Sequence, residues 1–328
     1  MTQANRASGV APQPPPPPPP SLTGRRTLGQ DLARFFIYAE GGVLLLFVAL
    51  PSLAHPAPLD VLAFVGAATL IWGGFRMRGD PPRSSVPAVP PQPGGARRPV
   101  PWDWTDVVMF IPGAFIGASL LVSIAIPITD SLTGGASSSA RTAAESFVQQ
   151  ASFYGGGLFN VWLLAGLRRG GTLQDLGFRR FDWWWLPVAV VVAALTWVLS
   201  GWLQIAAQHL FPSAQNTQCT SVKNDYSHYV VLAIFVVSVM APLAEETIFR
   251  GFIYGWLAKV MPAGLAVVIS GAFFGAVHGV LLLFIPLWAV GIVLALVYRG
   301  SNSLWPGVTV HALFNLPGII AILSSTSC

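Results

Sequence analysis

The chain has 328 residues, of which 53% are hydrophobic and 9% charged, and its mean hydropathy is +0.62. A soluble domain carries about 25% charged residues, so this composition excludes a soluble globule and calls for a polytopic membrane protein. The formal net charge of +5 is no sign of nucleic acid, because the basic residues cluster between apolar runs as juxtamembrane anchors do.

Residues 1–33 are Pro-rich, with an unbroken proline run from Pro14 to Pro20. Such a tract is extended and solvated and has no core of its own. It is expected to be a disordered cytoplasmic tail or a ligand for a proline-binding partner. The first apolar run, about residues 34–54, ends in Ser52-Leu53-Ala54, which resembles a signal-peptidase site. The run is longer than a signal-peptide core and a second run follows at once, so it reads as an uncleaved span.

The hydropathy pattern gives an all-α transmembrane bundle of about nine spans, each near the length needed to cross. These are 34–54, 58–76, 104–128, 146–167, 184–207, 228–258, 263–283, 284–299 and 303–324. The expected organisation is the tail 1–33, two N-terminal helices over 34–76, a Pro/Arg-rich linker over 77–103, and a main membrane region over 104–328. With alternating crossings, all of the eighteen basic residues except Arg141, Lys223 and Arg250 fall on one side. That bias predicts a cytoplasmic N-terminus in a bacterial plasma membrane.

Trp102, Trp104, Trp183, Trp184, Trp185 and Trp305 flank spans, where indole rings favour the headgroup layer. Residues 172–182 mix apolar and basic side chains and are expected along the inner surface. The two cysteines, Cys219 and Cys328, fall on the outer side. They form either a disulfide, which an oxidising face permits, or two free thiols. No CxxC or Cys/His cluster marks a structural zinc site.

The polar residues of the last spans carry the chemistry. Glu245 and Glu246 stand side by side where an ionised carboxylate costs at least about 2.5–3.5 kcal/mol. Glu246 and Arg250 are four apart, share a helix face and can pair. Glu245 is turned about 100° away and must look to another helix. His278 follows Phe274 by one turn, with Gly271, Gly275 and Gly279 spaced for close helix approach. His311 and Asn315 are also four apart. At about 1.5 Å per residue, Glu245, His278 and His311 all lie about 18–22 Å from the basic ends of their spans.

Such a set suits cleavage of an acyl bond by water. Glu245 and His278 would hold and deprotonate the water, while His311 and Asn315 would donate to the oxyanion. A metal is the other use of Glu245, His278 and His311 as three ligands with an open position. Zinc would be the ion, although the HExxH spacing is missing. The reading without a cofactor is preferred. A polar seam tying helices together remains the structural alternative.

The three motifs are Glu245-Glu246-Thr247-Ile248-Phe249-Arg250, Phe274-Gly275-Ala276-Val277-His278 and His311-Ala312-Leu313-Phe314-Asn315. In this order and context they resemble the CPBP family of CAAX prenyl-endopeptidase type II and bacteriocin-processing intramembrane proteases. The resemblance covers residues 228–320, and the basic stretch Asp175–Arg180 is similar to one found earlier in such proteins. It implies hydrolysis of a peptide bond at a site reached from the cytosol. Glu245 and His278 would activate water, His311 and Asn315 would stabilise the transition state, and Glu246, Arg250 and Phe274 would support them. The implied partners are lipids and a membrane-anchored substrate, which the resemblance allows to be a lipidated CAAX-type protein. The competing readings are a catalytically silent scaffold or immunity-type protein, and a proton-coupled transporter. The transporter is disfavoured because no second copy of the acidic motif exists.

Overall fold

The computed structural model describes residues 27–46, 58–80, 99–325 and 328. Residues 1–26 of the expected tail, most of the linker and residues 47–54 of the first span lie outside these residues, while 28–33, expected to belong to the disordered tail, form the first turns of a helix. The described residues are mostly helical and contain no strand. In chain order the helices are α1 (Leu28–Leu44), α2 (Pro58–Arg76), α3 (Trp104–Thr133), α4 (Ser138–Val161), α5 (Trp185–Leu210) and α6 (Thr217–Tyr226). They continue with α7 (Val230–Val260), α8 (Ala263–Ala276), α9 (Leu281–Ser301) and α10 (Leu304–Ser324).

Six helices among the described residues are long and apolar enough to cross a membrane, namely α2, α3, α5, α7, α9 and α10. The nine expected spans are therefore not all matched. The stretch 146–167 is helical, but Ser146, Gln149, Gln150 and Ser152 interrupt its apolar character. The stretch 263–283 is cut short, because α8 ends at Ala276 and Gly279 takes φ +66°. A left-handed residue suits glycine and stops a helix. His278 therefore sits in the turn after α8 rather than inside a span.

Local chemistry sets the helix ends. Asp103 accepts from the Thr105 amide while the Asp106 carboxylate accepts from the Asp103 amide, a capping box that starts α3. Thr27 and Gln30 do the same for α1, and Ser303 caps α10. α4 runs on into a π-helical turn over Trp162–Arg168. There Arg168 reaches Asp80 and Asp106, at 2.7 and 2.6 Å, and Arg169 reaches Asp103 and Asp106, at 2.6 and 2.8 Å. Burial pushes the Asp103 carboxyl up, but Thr105 and Arg169 more than offset it and hold it below the usual carboxylate range. This clamp binds the ends of α2, α3 and α4 at the basic end of the bundle.

Two expectations about that end need correction. Trp102 is not a headgroup anchor: it is fully buried, stacked on Phe252 with ring centroids 5.5 Å apart, and donates to the Phe252 carbonyl at 2.9 Å. An indole whose N–H finds an internal acceptor can be buried without cost to that donor. Residues 172–182 do not simply lie along a surface either. Leu176 is buried, the Leu304 amide donates to the Gly177 carbonyl at 2.8 Å, and Ser303 donates to the Arg179 carbonyl at 2.7 Å. Gly177 has φ +103° under the Tyr298 ring, a position with neither the backbone freedom nor the space for a side chain.

The close helix approach expected at Gly271, Gly275 and Gly279 is present at the first two, against α9, while a Cβ on Gly279 would meet nothing within 4 Å. A Cβ on Gly271 would meet Ile292 and the Trp288 carbonyl at 2.9 Å, and one on Gly275 would meet the Phe284 carbonyl at 2.8 Å. At the opposite end of the bundle, Cys219 on α6 and Cys328 are joined as a disulfide, with Cα atoms 5.8 Å apart. Of the two outcomes open for these cysteines, the bridge is the one observed.

Candidate active site

The helix α7 is not uniform. It widens into π-helical turns over Val236–Met240 and again over Thr247–Tyr254, flanking Ala241–Glu246. In the first of these the Ala241 amide donates five residues back, to the Val236 carbonyl. The next donor in that register would be residue 242, but Pro242 has no N–H. The Val237 carbonyl is thereby released, and Asn315 Nδ2 donates to it at 2.7 Å. One Asn315 amide hydrogen is thus committed to joining α10 to α7. Interruptions of this kind inside helices occur often at functional sites.

The two glutamates divide as their spacing predicts. Glu246 is fully buried and its Oε1 accepts from Arg250 Nη1 at 2.9 Å. The same oxygen lies 3.1 Å from His311 Nδ1. Gly307 makes room for it: a Cβ there would stand 3.1 Å from Glu246 Oε2. Arg250, also fully buried, donates to the Gly291 carbonyl at 3.1 Å and lies 4.5 Å from the Phe274 ring centre. A cation over an aromatic face is stabilised by the ring quadrupole.

Glu245 faces elsewhere. Its Oε1 accepts from the Tyr154 hydroxyl of α4 at 2.8 Å. Its Oε2 is buried, finds no hydrogen-bond donor among the described residues and stands 3.8 Å from His311 Nε2. Buried polar atoms in folded proteins nearly always have a partner, and among the described residues Glu245 Oε2 and Glu246 Oε2 are both exceptions.

The histidines are oriented by what lies behind them. His278 Nδ1 is 2.8 Å from the Phe274 carbonyl. A carbonyl can only accept, so Nδ1 carries the proton and the neutral ring keeps its Nε2 lone pair for the cavity. His311 Nδ1 meets a carboxylate paired to Arg250, so it too donates there, and Nε2 turns to Glu245. The Phe274 ring packs edge-on to both, with centroids 5.0 Å from His278 and 5.5 Å from His311. Phe274 is therefore the apolar post around which both imidazoles and Arg250 are placed.

Glu245, His278, His311, Asn315, Phe274 and Tyr154 all line one cavity of about 1340 Å³. Tyr154 was not foreseen. Polar Gln149, Gln150 and Ser152 beside it mark an unusual stretch, but a partner 91 positions away cannot be read from spacing on one helix. As for metal, no group of three His, Cys, Asp or Glu among the described residues is gathered closely enough to hold one ion. Glu245, His278 and His311 do not fit a three-ligand site as they stand.

Comparison with known proteins points to the same stretch. Residues 227–317 match the family model described as type II CAAX prenyl endopeptidase Rce1-like. This part of the chain is similar to that family. The chain is also 28% identical over 147 residues to the Bacillus subtilis (strain 168) protein named "Putative membrane peptidase YdiL". That match covers 45% of this chain and 58% of the relative, so the chain spans less than two thirds of the relative's length. No solved structure matches. The matched region supplies both glutamates, both histidines, Arg250, Phe274 and Asn315. Tyr154 comes from outside it, on α4, and completes the surroundings of Glu245.

Proposed function

We propose that this integral membrane protein is an endopeptidase that hydrolyses a peptide bond of a membrane-associated substrate with water activated by Glu245. The observation that carries this reading is the Glu245 carboxylate itself. One oxygen is held by Tyr154, the other has no hydrogen-bond donor among the described residues, and the residue lines a cavity together with His278 and His311. Glu246, Arg250 and Asn315 are tied to their neighbours, Glu246 through Oε1 to Arg250 and His311 and Asn315 to the Val237 carbonyl, and support the arrangement.

The reaction then runs as follows. Glu245 accepts a proton from a water that also donates to His278 Nε2. The hydroxide attacks the substrate carbonyl, and negative charge develops on its oxygen. His311 stabilises that charge by donating from Nε2 in its imidazolium form. The remaining Asn315 amide hydrogen is a second donor. Collapse breaks the C–N bond, and the proton held on Glu245 passes to the leaving amine. The products are a carboxylic acid and an amine. No step runs through a metal, and cleavage of a membrane-tethered peptide in proteoliposomes is expected to persist in EDTA. Activity that EDTA removes and zinc restores would replace this mechanism.

Tyr154 acts as a positioning residue. A hydrogen bond to a charged group contributes about 1.5–3 kcal/mol, so Tyr154→Phe is expected to lower kcat about tenfold to hundredfold with KM little changed. An unchanged kcat would remove Tyr154 from the mechanism.

A scaffold built on the same fold is the second reading. It is favoured by the tie through Glu246, Arg250 and Asn315, but it leaves Glu245 and His278 without a task.

A further inference from the structure

A further buried carboxyl lies away from the active site, between the N-terminal helix and α4. Glu40 on α1 is 5% exposed and Asn160 on α4 is fully buried. Asn160 Nδ2 donates to Glu40 Oε1 at 3.2 Å and to the Gly156 carbonyl at 3.1 Å. Both amide hydrogens are thereby committed, which fixes the orientation of the amide. Turned over, it would set its oxygen against two acceptors.

The other two oxygens of the pair are left over. Glu40 Oε2 and Asn160 Oδ1 are both buried, and neither has a hydrogen-bond partner among the described residues. They converge on Gly113 of α3, where a Cβ would stand 2.4 Å from Asn160 Oδ1 and 2.9 Å from Glu40 Oε2. An amide oxygen and an ionised carboxylate can only accept. Two such groups turned to one point repel, and a low-dielectric interior does little to screen them. No cation relieves the charge: among the described residues, Glu40 forms no ion pair. A buried carboxylate without a counter-ion takes up a proton rather than remain charged.

One hydrogen removes the conflict. A carboxylic acid and a primary amide can join through two hydrogen bonds, the amide N–H donating to the acid carbonyl and the acid O–H donating to the amide oxygen. The first of these is the 3.2 Å contact already present. The second requires only a hydrogen on Oε2, on the side where both unpartnered oxygens lie.

We propose that Glu40 is a proton-binding site: a neutral carboxylic acid whose Oε2 donates to Asn160 Oδ1 while its Oε1 accepts from Asn160 Nδ2, latching α1 to α4. The helix α1 lies outside the stretch that matches the family model. The helix α4 is the one that brings Tyr154 to Glu245, six residues before Asn160. The latch therefore ties the N-terminal part of the chain to the helix that holds the candidate base in place. The inference does not depend on the protease reading.

The test uses the full chain in lipid nanodiscs. Infrared spectra are recorded at pH 6, where ordinary Asp and Glu side chains are ionised. The parent is expected to show the C=O stretch of a protonated carboxylic acid. Glu40→Gln is expected to lose this band. Asn160→Ala is expected to keep it at a higher wavenumber, because the acid carbonyl has lost its N–H donor. Glutamine can supply both hydrogen bonds of the latch, so Glu40→Gln is expected to melt within a few degrees of the parent and Asn160→Ala clearly lower. An acid band missing from the parent, or unchanged in both variants, overturns the proposal; a water or a small cation between an ionised Glu40 and Asn160 would then take its place. Should Glu40→Gln fail to fold, the position of the band in Asn160→Ala against the parent still decides.

Discussion

Glu245→Gln is expected to abolish cleavage of a membrane-tethered peptide while the protein still folds and inserts. The amide keeps the shape of the side chain, and its oxygen can still accept from Tyr154. What it loses is the capacity to take a proton from water. General-base assistance is worth about 10²- to 10⁴-fold, so turnover falls below detection in a slow membrane assay. The variant's thermal stability in detergent should stay close to that of the parent, because no partner of Glu245 is left with an unmatched charge. Full cleavage by Glu245→Gln would reject this residue as the base and return the site to the scaffold reading.

The second large effect is structural and belongs to the neighbouring residue. Glu246 and Arg250 are both fully buried. Removing one member of a buried ion pair typically costs about 3–5 kcal/mol, because the other charge is left without compensation. Glu246→Ala is therefore expected to lower the melting temperature sharply in detergent, and to release His311 from its orienting carboxylate. Replacing both members by leucine is expected to recover most of the lost stability, since buried pairs gain little over apolar packing. If the single variant melts like the parent, the pair is not the structural tie proposed. The two glutamates thus give opposite signatures, one in turnover and one in stability.

Much of this division was legible in the chain. The i, i+4 spacing places Arg250 under Glu246 and leaves Glu245 facing elsewhere, and both features are present. The motif order also marks the stretch that matches the Rce1-like family model. What could not be read were pairings between helices. Tyr154 reaches Glu245 from another helix, and Asn315 turns to a carbonyl that only the missing N–H of Pro242 leaves free. His278 was placed inside a span because hydropathy runs on through Val280 to Leu283, whereas Gly279 ends the helix by backbone conformation. Hydropathy also overcounts crossings where a helix such as α4 carries a polar turn. Trp102 looked like an interfacial anchor because its internal acceptor, the Phe252 carbonyl, lies 150 residues away.

The Cys219–Cys328 bond has a consequence for a protein proposed to be a protease. The two residues are 109 positions apart, and every residue of the three motifs lies between them. That part of the chain is a covalent ring. A single backbone nick anywhere in it opens the ring without detaching either fragment. An enzyme exposed to its own activity or to a neighbour's could be cut once and still keep both pieces on one particle.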